Sequence, residues 1–468
     1  MLAIRFRRRG AEAACRLEPE PGLPFGQLRE RPGATRRIGF GLDAAAGPRA
    51  HEQAGAAAAV ALTDLREAAL EAHGVGPSQA AWLAAGFALG SWRPPGAPGL
   101  TRLKRLTVLT DQPGAAEAAW AGIAPGVEGC LLARDLVSLP ANQLTTRAFA
   151  SRLEALAEVG IAVDVWGRKR LARAGLGALL AVGAGAGPAS PPRLAILRWR
   201  GRIAAPPVAF VGKGLVFDTG GVCIKPARGM AAMRADMAGA AACVGAMLAL
   251  ARRQSAAPAV AVLALAENAT GAASYRPGDV LRTGSGRTVE VVDTDAEGRL
   301  VLADALHQAI VGHAPRAVID LATLTGAVVT ALGHHRAGLF GNDSALMAAI
   351  AAAGEAVGEP VWPLPIGDAH RTDLRSDIAD LRHCLPAAGR PLPDASHGAA
   401  FLEAFVGATP WAHLDIAGVD TQRAAHAGGP AGATGFGVRL LDRLVAQRFE
   451  SEDHHPPPGA SSLRAASA

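Results

Sequence analysis

"DMAGAAACVGAMLALARRQSAAPAVAVLAL" (residues 236–265) is the stretch that decides the fold class. Its first part is long, apolar and rich in small residues, which favours a helix. Its last part, "AVAVLAL", is a short apolar run that favours a fully buried strand. Another apolar run, "VAFVG" (208–212), precedes the helix and also predicts a strand. A strand, a helix and a second buried strand in succession are typical of a parallel sheet covered by helices.

The same alternation extends to both sides of this stretch. Strands are predicted at 194–199, 316–326 and 411–418, and helices at 299–312 and 435–449. The predicted fold is therefore α/β, with a mixed, mostly parallel sheet flanked by helices in a larger domain at 131–450. A smaller, variable N-terminal α/β domain is predicted at 1–130, and a disordered tail at 451–468, where no core-forming pattern remains.

Local predictions in the first third of the chain are less patterned. "TRLKRLTVLT" (101–110) predicts a strand, and "AGAAAAVALTDLREAALEAHG" (54–74) predicts a helix. Further on, a helix should end at Pro140, and Thr145 or Thr146 can cap the next one. Three residues are expected on the inner face of that next helix: Leu153, Leu156 and Ala157.

Composition restricts the class of protein. The 468 residues are 50% hydrophobic and 19% charged, which is a globular composition with ample material for a core. A net charge of +6, from 47 basic and 41 acidic residues, is weak support for nucleic-acid binding in a chain of this length. The five cysteines lie far apart without a CxxC pair, which favours a reducing compartment.

Targeting signals are not evident in the sequence. The arginine-rich start lacks the apolar run of a secretory signal. The longest uncharged apolar run (237–251) is too short and too rich in Ala and Gly to cross a bilayer. We therefore predict a cytoplasmic protein that does not bind membranes.

Three segments of the larger domain carry charge in an apolar setting. "VVDTDAEGRLVLADAL" (291–306) contains Asp293, Asp295 and Glu297 at alternate positions. If the segment is extended, these side chains point to one side, so one strand end could present all of them. "VGKGLVFDTGGVCIKP" (211–226) carries Lys213, Asp218 and Lys225, and "MRADMAGAA" (233–241) places Asp236 at the start of a helix.

Buried carboxylates must be paired or bound to metal, so this group could hold two divalent cations if the fold brings the segments together. Other interpretations exist for each piece alone. Asp236 could equally be a helix cap. The Gly-rich segment lacks the order of a phosphate-binding P-loop. "DTDAEG" lacks the spacing of a calcium loop.

Together, the three segments resemble the leucine aminopeptidase (cytosol aminopeptidase) family of two-metal exopeptidases. "DLVSLPAN", "ENATGAASYRPGDV", "LATLTGA" and "WAHLDIAG" agree with that family, and the match extends from about residue 130 to 448. "DTDAEGRL" is similar to the family signature "NTDAEGRL".

The resemblance implies a role for each of eight residues. Lys213 and Asp236 would bind one metal and Asp295 the other, while Asp218 and Glu297 would bridge the two. Lys225 and Arg299 would be the catalytic pair that does not bind metal, and Met233 would line the pocket for the first side chain of the substrate. The expected cofactors are two divalent cations (Mn²⁺ or Zn²⁺, with Mg²⁺ also open) and bicarbonate at Arg299.

Four departures from the family pattern bear on this prediction. Asp293 stands where the family has Asn, which removes an amide donor and adds charge beside the metals. Thr219 replaces Ser, and Cys223 occupies a position that is usually polar. Ala238 replaces a glycine and could crowd a close helix contact. The segment 389–402 differs from the Gly-rich loop expected near the pocket and the trimer contacts.

The predicted function is a metal-dependent aminopeptidase that releases apolar, leucine-like N-terminal residues from peptides, as a homohexamer. Alternatives are a narrower dipeptidase of the Cys-Gly type and a DNA-binding or non-catalytic relative. Basic segments at 5–10 and 29–37 would serve DNA binding, but solvated surface arginines are the favoured interpretation. Five histidines are not expected to bind metal: His313, His334, His335, His397 and His413.

Overall fold

The computed structural model describes residues 2–8, 15–20, 28–31, 36–40, 46–60, 62, 65–98, 102–386, 394–426 and 428–451. The N-terminal part contains six strands and two helices, followed by a long third helix. In chain order these are β1 Ala3–Arg7, β2 Cys15–Pro19, β3 Leu28–Arg31, β4 Arg36–Phe40, α1 Pro48–Val60, β5 Glu67–Glu71, α2 Pro77–Gly90, β6 Arg105–Leu109 and α3 Pro113–Ser138.

The six N-terminal strands form one sheet in the order β1-β6-β5-β2-β4-β3. All neighbours are parallel except β3 and β4. Its core is built around Leu70, Leu83, Phe87 and Leu106, all of them buried. The strand predicted at 101–110 is confirmed as β6.

The prediction of a helix at 54–74 is wrong for the second half of that segment. Helix α1 ends at Val60, and residues 67–71 form strand β5. Local propensity favours a helix in such an Ala-rich segment, but β5 pairs on both sides, with β2 and β6. Leu70 is fully buried in this position. Pairing and burial in the sheet thus override the local preference.

The larger part of the chain contains thirteen strands and eleven helices within the described ranges. They are α4 Thr146–Glu154, β7 Ala162–Trp166, α5 Arg168–Arg173, α6 Gly177–Val182, β8 Arg193–Trp199, β9 Val208–Asp218, α7 Ala227–Met230, α8 Ala238–Arg252, β10 Ala259–Asn268, β11 Val280–Arg282, β12 Thr288–Glu290, α9 Glu297–His313, β13 Ala317–Ala322, α10 Gly326–Leu332, β14 Ala337–Gly341, α11 Ser344–Val357, β15 Val361–Pro363, α12 Asp368–Asp373, β16 Leu381–Arg382, α13 Asp394–Glu403, β17 Trp411–Asp415, β18 Thr421–Gln422, β19 Gly432–Ala433 and α14 Val438–Arg448.

Eight of these strands form the main sheet, in the order β15-β14-β17-β13-β9-β10-β8-β7. The central strands β17, β13, β9 and β10 are parallel, and antiparallel pairs occur toward both edges. This confirms the predicted mixed sheet. Its two faces are covered separately, because Val208 and Phe210 of β9 belong to the core under α8, whereas Ala209 and Val211 belong to the core under α9.

Helix α3 joins the two parts of the chain and crosses residue 130. It packs against α8 at a contact between two glycines. A Cβ on Gly129 would lie 2.2 Å from the carbonyl oxygen of Gly245, and a Cβ on Gly245 would lie 2.4 Å from that of Gly129. The two backbones can therefore approach only without side chains. The domain boundary at 130 stays a prediction.

The predictions for 130–160 are largely confirmed. Thr145 caps α4, since its Oγ1 accepts a hydrogen bond from the Ala148 N–H over 3.2 Å. Leu153 and Leu156 are buried as expected, but Ala157 is exposed. That expectation was wrong because a 3₁₀ helix at Ala155–Val159 follows α4, and its tighter turn changes the spacing of buried residues.

One helical stretch, Ala227–Arg252, has the length and apolar character of a membrane span, but 89% of its apolar window is buried inside the protein. It therefore acts as a core helix. The predicted disordered tail lies outside the described residues from 452 onward.

Candidate metal centre

A cavity of about 600 Å³ opens at the carboxyl ends of the central parallel strands. Strand β9 ends there at Asp218, and the segments that follow β13 and β17 form further walls. Carboxyl ends of parallel strands are the usual position for ligand sites in α/β sheets. Seven of the eight residues assigned from the resemblance line the cavity: Lys213, Asp218, Lys225, Met233, Asp236, Asp295 and Glu297.

Three of these carboxylates form a cluster inside the protein. Asp218, Asp236 and Glu297 each offer one oxygen, and the three oxygens lie within 4.8 Å of one another. All three residues are buried. Burial, followed by the charge of Asp218, raises the pKa of Glu297 above its ordinary value. Burial likewise raises the pKa of Asp236. The cluster therefore concentrates negative charge where it cannot be solvated.

Lys213 extends from β9 into this cluster. Its Nζ lies 2.8 Å from Asp236 Oδ1 and 3.0 Å from Glu297 Oε1, and it donates to the Thr323 carbonyl oxygen over 2.8 Å. Burial alone would lower the pKa of Lys213, but the surrounding carboxylates, first Asp236, outweigh burial and raise it. The ammonium group thus balances part of the negative charge.

Lys225 and Asp295 lie on the more open side of the cluster. The Lys225 Nζ is 2.8 Å from Asp218 Oδ2 and also contacts Asp295 Oδ1. Burial opposes a charged Lys225, yet Asp218 and then Glu297 raise its pKa. Asp295 is one-third exposed and lies outside the three-residue cluster, to which Lys225 connects it.

The segment 293–297 does not adopt the extended conformation under which its three carboxylates would point to one side. These residues form a turn, and helix α9 begins at Glu297. Asp293 Oδ1 accepts a hydrogen bond from the Asp295 N–H over 2.9 Å, and the Ala296 N–H bonds back to the Asp293 carbonyl over 3.2 Å. Because Asp293 closes its own turn, the chain cannot stay extended. Asp295 and Glu297 reach the cavity from a turn and a helix start.

The change from Asn to Asp at position 293 is compatible with this turn. The hydrogen bond to the Asp295 N–H needs only an acceptor oxygen, which both side chains carry. The turn is also held by His383, whose Nε2 lies 2.7 Å from the Asp293 carbonyl oxygen. Burial, and then the charge of Arg299, lower the pKa of His383 to about 4. Its other ring nitrogen, Nδ1, lies 3.1 Å from the Glu290 carbonyl oxygen, so the ring connects the turn to the end of β12.

Asp236 does not cap helix α8. The N-cap position is Met237, without a side-chain cap, and Asp236 Oδ1 instead accepts from Lys213 and, over 2.7 Å, from the Thr323 hydroxyl. The substitution at Ala238 is accommodated. The close approach falls one residue later, at Gly239, where a Cβ would lie 2.0 Å from the Leu321 carbonyl oxygen.

Arg299 is the predicted site residue that does not line the cavity. It is buried on α9, where Nη1 donates to the His383 carbonyl over 2.9 Å and Nη2 pairs with Asp394 Oδ1 at 2.8 Å. Asp394 begins α13, directly after residues 387–393, which lie outside the described part of the chain. The divergent segment 389–402 thus supplies a partner for Arg299.

Asn268 was not identified from sequence, although it stands in the quoted motif "ENATG". It ends β10 and is fully buried. Its Nδ2 donates to Asp218 Oδ1 over 2.7 Å and to the Thr294 carbonyl over 3.0 Å. Asn268 therefore connects the end of β9 to the turn before α9. The sequence did contain a signal for this role: an Asn at the end of a buried strand has an amide group that can donate hydrogen bonds to nearby carboxylates.

Two of the five histidines that were not expected to bind metal pair with carboxylates outside the cluster. His413 is buried and lies 2.5 Å from Asp320, and His397 lies 3.0 Å from Asp373. The cluster of potential metal ligands in this part of the chain contains carboxylates only.

The residues of the cluster fit divalent cations. Oxygen ligands suit Mg²⁺ and Mn²⁺, and a neutral lysine nitrogen would add a ligand type that Zn²⁺ accepts. One buried oxygen, Asp236 Oδ2, has no hydrogen-bond partner in the described part of the protein. An unpaired buried carboxylate oxygen is costly, and a cation would satisfy it.

Comparisons with known proteins show similar sequences and a similar fold. The sequence model of the cytosol aminopeptidase family, catalytic domain, matches residues 131–442. A "Probable cytosol aminopeptidase" of Gluconobacter oxydans (strain 621H) is 47% identical over 343 residues, which cover 73% of this chain and 69% of the relative. One of Chelativorans sp. (strain BNC1) is 46% identical over 350 residues, 75% and 70% of the two chains.

A solved structure with a similar fold is the bottromycin maturation enzyme BotP in complex with Mn. It is 35% identical in sequence, with a TM-score of 0.84, over 93% of this chain and 99% of that chain. The similarity therefore includes the N-terminal part that the family match leaves out.

Proposed function

The chain belongs to the cytosol aminopeptidase family, a family of metal-dependent hydrolases, and from this premise we propose that it is a two-metal aminopeptidase acting on peptides. The observation that carries the proposal is the buried group of Asp218, Asp236 and Glu297 with Lys213 at its centre. When bound, two divalent cations would supply Lewis acidity that activates a water, polarises the scissile carbonyl and captures the free α-amino group.

The ligand roles are those that the family resemblance implies. Lys213 and Asp236 would hold one cation and Asp295 the other, with Asp218 and Glu297 between them. Lys213 must give up its proton to act as a ligand, and a dication beside it favours that. Mn²⁺ is supported by the similarity to BotP, whose structure was solved in complex with Mn, and Zn²⁺ and Mg²⁺ remain in the proposal.

Lys225 would serve the reaction without binding metal. Its ammonium lies between Asp218 and Asp295 at the open side of the cluster. From there it would stabilise negative charge on the substrate carbonyl oxygen. Arg299 would bind bicarbonate, as predicted from the resemblance. Because Asp394 occupies its Nη2, the anion would have to replace or join that carboxylate.

Peptides with an apolar first residue are among the proposed substrates. Met233, Leu324 and Val329 line the cavity beside the cluster and would pack against such a side chain. We also keep the predictions of a homohexamer and a cytoplasmic location. Nucleic acid and membrane are not proposed as partners.

The test is hydrolysis of leucine p-nitroanilide by chelator-treated protein that is then supplied with Mn²⁺, Zn²⁺ or Mg²⁺. We expect at least one cation to restore activity, and Glu297→Gln to abolish it. Glu355→Gln, which removes an exposed carboxylate paired with Arg336, is the matched control and should keep activity. If wild type and Glu297→Gln hydrolysed the substrate at equal rates after metal is supplied, the proposed site would be wrong. Activity confined to dipeptides would indicate the narrower dipeptidase.

A further inference from the structure

The cavity contains one carboxylate that the proposed reaction does not use. Asp420 follows β17 and directly precedes β18, and it lines the same cavity as the metal cluster. It is partly buried. Within the described ranges, no Lys, Arg or His nitrogen lies within ion-pair distance of it, in contrast to the carboxylates of the cluster, which Lys213 and Lys225 pair. Asp420 therefore presents charge to the cavity without a cationic partner from this part of the chain.

The segment that carries Asp420 is held firmly in place. Asp415, at the end of β17, accepts hydrogen bonds from the Leu324 and Ala417 N–H groups at 3.0 and 3.2 Å, which joins two walls of the cavity. The Gly418 carbonyl lies 2.7 Å from His334 Nδ1. Gly418 has φ +88°, and a Cβ there would lie 2.7 Å from the Gly333 carbonyl oxygen. The position of Asp420 is thus set by the backbone that leads to it.

Part of the cavity lining is apolar. Met233, Leu324 and Val329 line the cavity together with Asp420. This combination suits a side chain with a hydrocarbon stem and a cationic end, as in lysine or arginine, which bury the stem and keep the charge at a polar partner. A purely apolar side chain would fill the same space but would leave the carboxylate desolvated and without a cationic partner.

We propose that Asp420 is a specificity-determining residue that makes the cavity prefer peptides whose first residue carries a cationic side chain over those with a neutral side chain of the same length. The inference rests on the proposed aminopeptidase function and names its substrate class. Arg423 lines the same cavity and is exposed, and within the described residues it does not form an ion pair with Asp420. The same geometry would also let Asp420 hold the α-ammonium group shared by all peptides, and the experiment separates the two roles.

The experiment compares lysine and norleucine p-nitroanilides with the metal-loaded full-length protein. Norleucine has the same carbon chain as lysine without the ammonium group. For the wild type we expect kcat/KM for lysine to exceed that for norleucine by about tenfold, which is the range of a hydrogen bond to a charged group. In Asp420→Asn the ratio should fall close to one, because the lysine substrate loses its charged partner and the norleucine substrate no longer has to desolvate a carboxylate. Glu355→Gln is the surface control and should keep the wild-type ratio.

Two outcomes overturn the proposal. A lysine-to-norleucine ratio that is the same in wild type and Asp420→Asn removes the role in specificity. An equal loss with both substrates assigns Asp420 to the α-ammonium group instead. The same preference can be measured without turnover, as the ratio of the Kd values of lysine and norleucine hydroxamates determined by calorimetry. If neither p-nitroanilide nor leucine p-nitroanilide is hydrolysed with any cation, the proposed function fails, and the hydroxamate ratio alone then confirms or refutes the preference of the cavity.

Discussion

Asn268 Nδ2 lies 2.7 Å from Asp218 Oδ1, and this hydrogen bond joins the ends of two neighbouring strands beneath the metal cluster. Groups that orient metal ligands typically change metal affinity or activity by about 10- to 100-fold when removed. We therefore expect Asn268→Ala to weaken Mn²⁺ binding by about that factor, measured by titration of the metal-free protein with activity as a second readout.

The matched control for this change is Asn342→Ala. The Asn342 side chain likewise makes two hydrogen bonds, accepting from the Trp411 N–H at 2.8 Å and donating to the Thr409 carbonyl at 3.0 Å, but it lies outside the cavity lining. Both variants should lose stability, and only Asn268→Ala should lose metal affinity. Equal metal affinity in the two variants would show that Asn268 does not orient Asp218.

Metal binding should stabilise the folded protein. A ligand that binds only the folded state at about 100 times its Kd adds about 2.7 kcal/mol to the free energy of unfolding. Adding Mn²⁺ to chelator-treated protein should therefore raise Tm, and the rise should be absent in Asp236→Asn, which removes one of the three clustered carboxylates. A similar rise in that variant would place the binding site elsewhere.

The lysine preference should depend on pH. Burial raises the pKa of Asp420 to about 6, against the lowering effect of Thr421 and nearby backbone N–H groups. Above pH 6 the carboxylate is charged and can pair with a lysine side chain; below it the carboxyl is neutral. We expect the kcat/KM ratio of lysine to norleucine substrates to fall toward one as the pH is lowered through about 6.

Other titratable and charged groups line the cavity and act on both substrates alike, so the ratio cancels most of their effect: Lys213, Asp218, Lys225, Asp236, Asp295, Glu297, His334 and Arg423. In Asp420→Asn the ratio should be flat with pH. A ratio that falls equally in wild type and variant would assign the titration to one of these other groups.

A buried ion cluster connects the N-terminal part to the last helix. Arg439 of α14 pairs with Glu52 of α1 at 2.7 Å and lies 3.5 Å from Glu359, and both carboxylates are buried. Removing the cation leaves them uncompensated, which typically costs about 3–5 kcal/mol. Arg439→Ala should lower the free energy of unfolding by about that amount, measured by urea denaturation.

Arg336→Ala is the comparison for this loss. Arg336 pairs with Glu355 at the surface, where both side chains are more than one-third exposed. Such pairs contribute about 1 kcal/mol or less. Losses of similar size in the two variants would mean that the buried cluster does not hold the two parts together.

The order of elements in the larger part of the chain was accessible from sequence because its helices and buried strands differ clearly in length and apolar pattern. The segment 54–74 was not, because an Ala-rich run carries a helical preference that only pairing of β5 on both sides overrides. The turn at 293–297 was not predicted either, for a related reason. Alternating carboxylates look the same whether the chain is extended or folded back by the Asp293 side chain.

Most side chains of the candidate site were named in advance through motif resemblance, and the structure brings Lys213, Asp218, Asp236 and Glu297 into one cluster. Contacts between segments that are distant in the sequence could not be predicted from it. The pairing of Arg299 with Asp394 and the position of Asp420 in the cavity depend on where loops after different strands meet. No local pattern in the sequence encodes such contacts between loops.

The glycine contact between α3 and α8 has a consequence for engineering by domain exchange. A graft that replaces the first part of the chain with that of a relative and joins it at residue 130 would cut α3 one residue after Gly129, in the middle of its crossing with α8. The two halves of the helix would then come from different parents at the point where the backbones touch. A junction ahead of Pro113, the first residue of α3, would transfer the N-terminal sheet as a module and leave that crossing to a single parent.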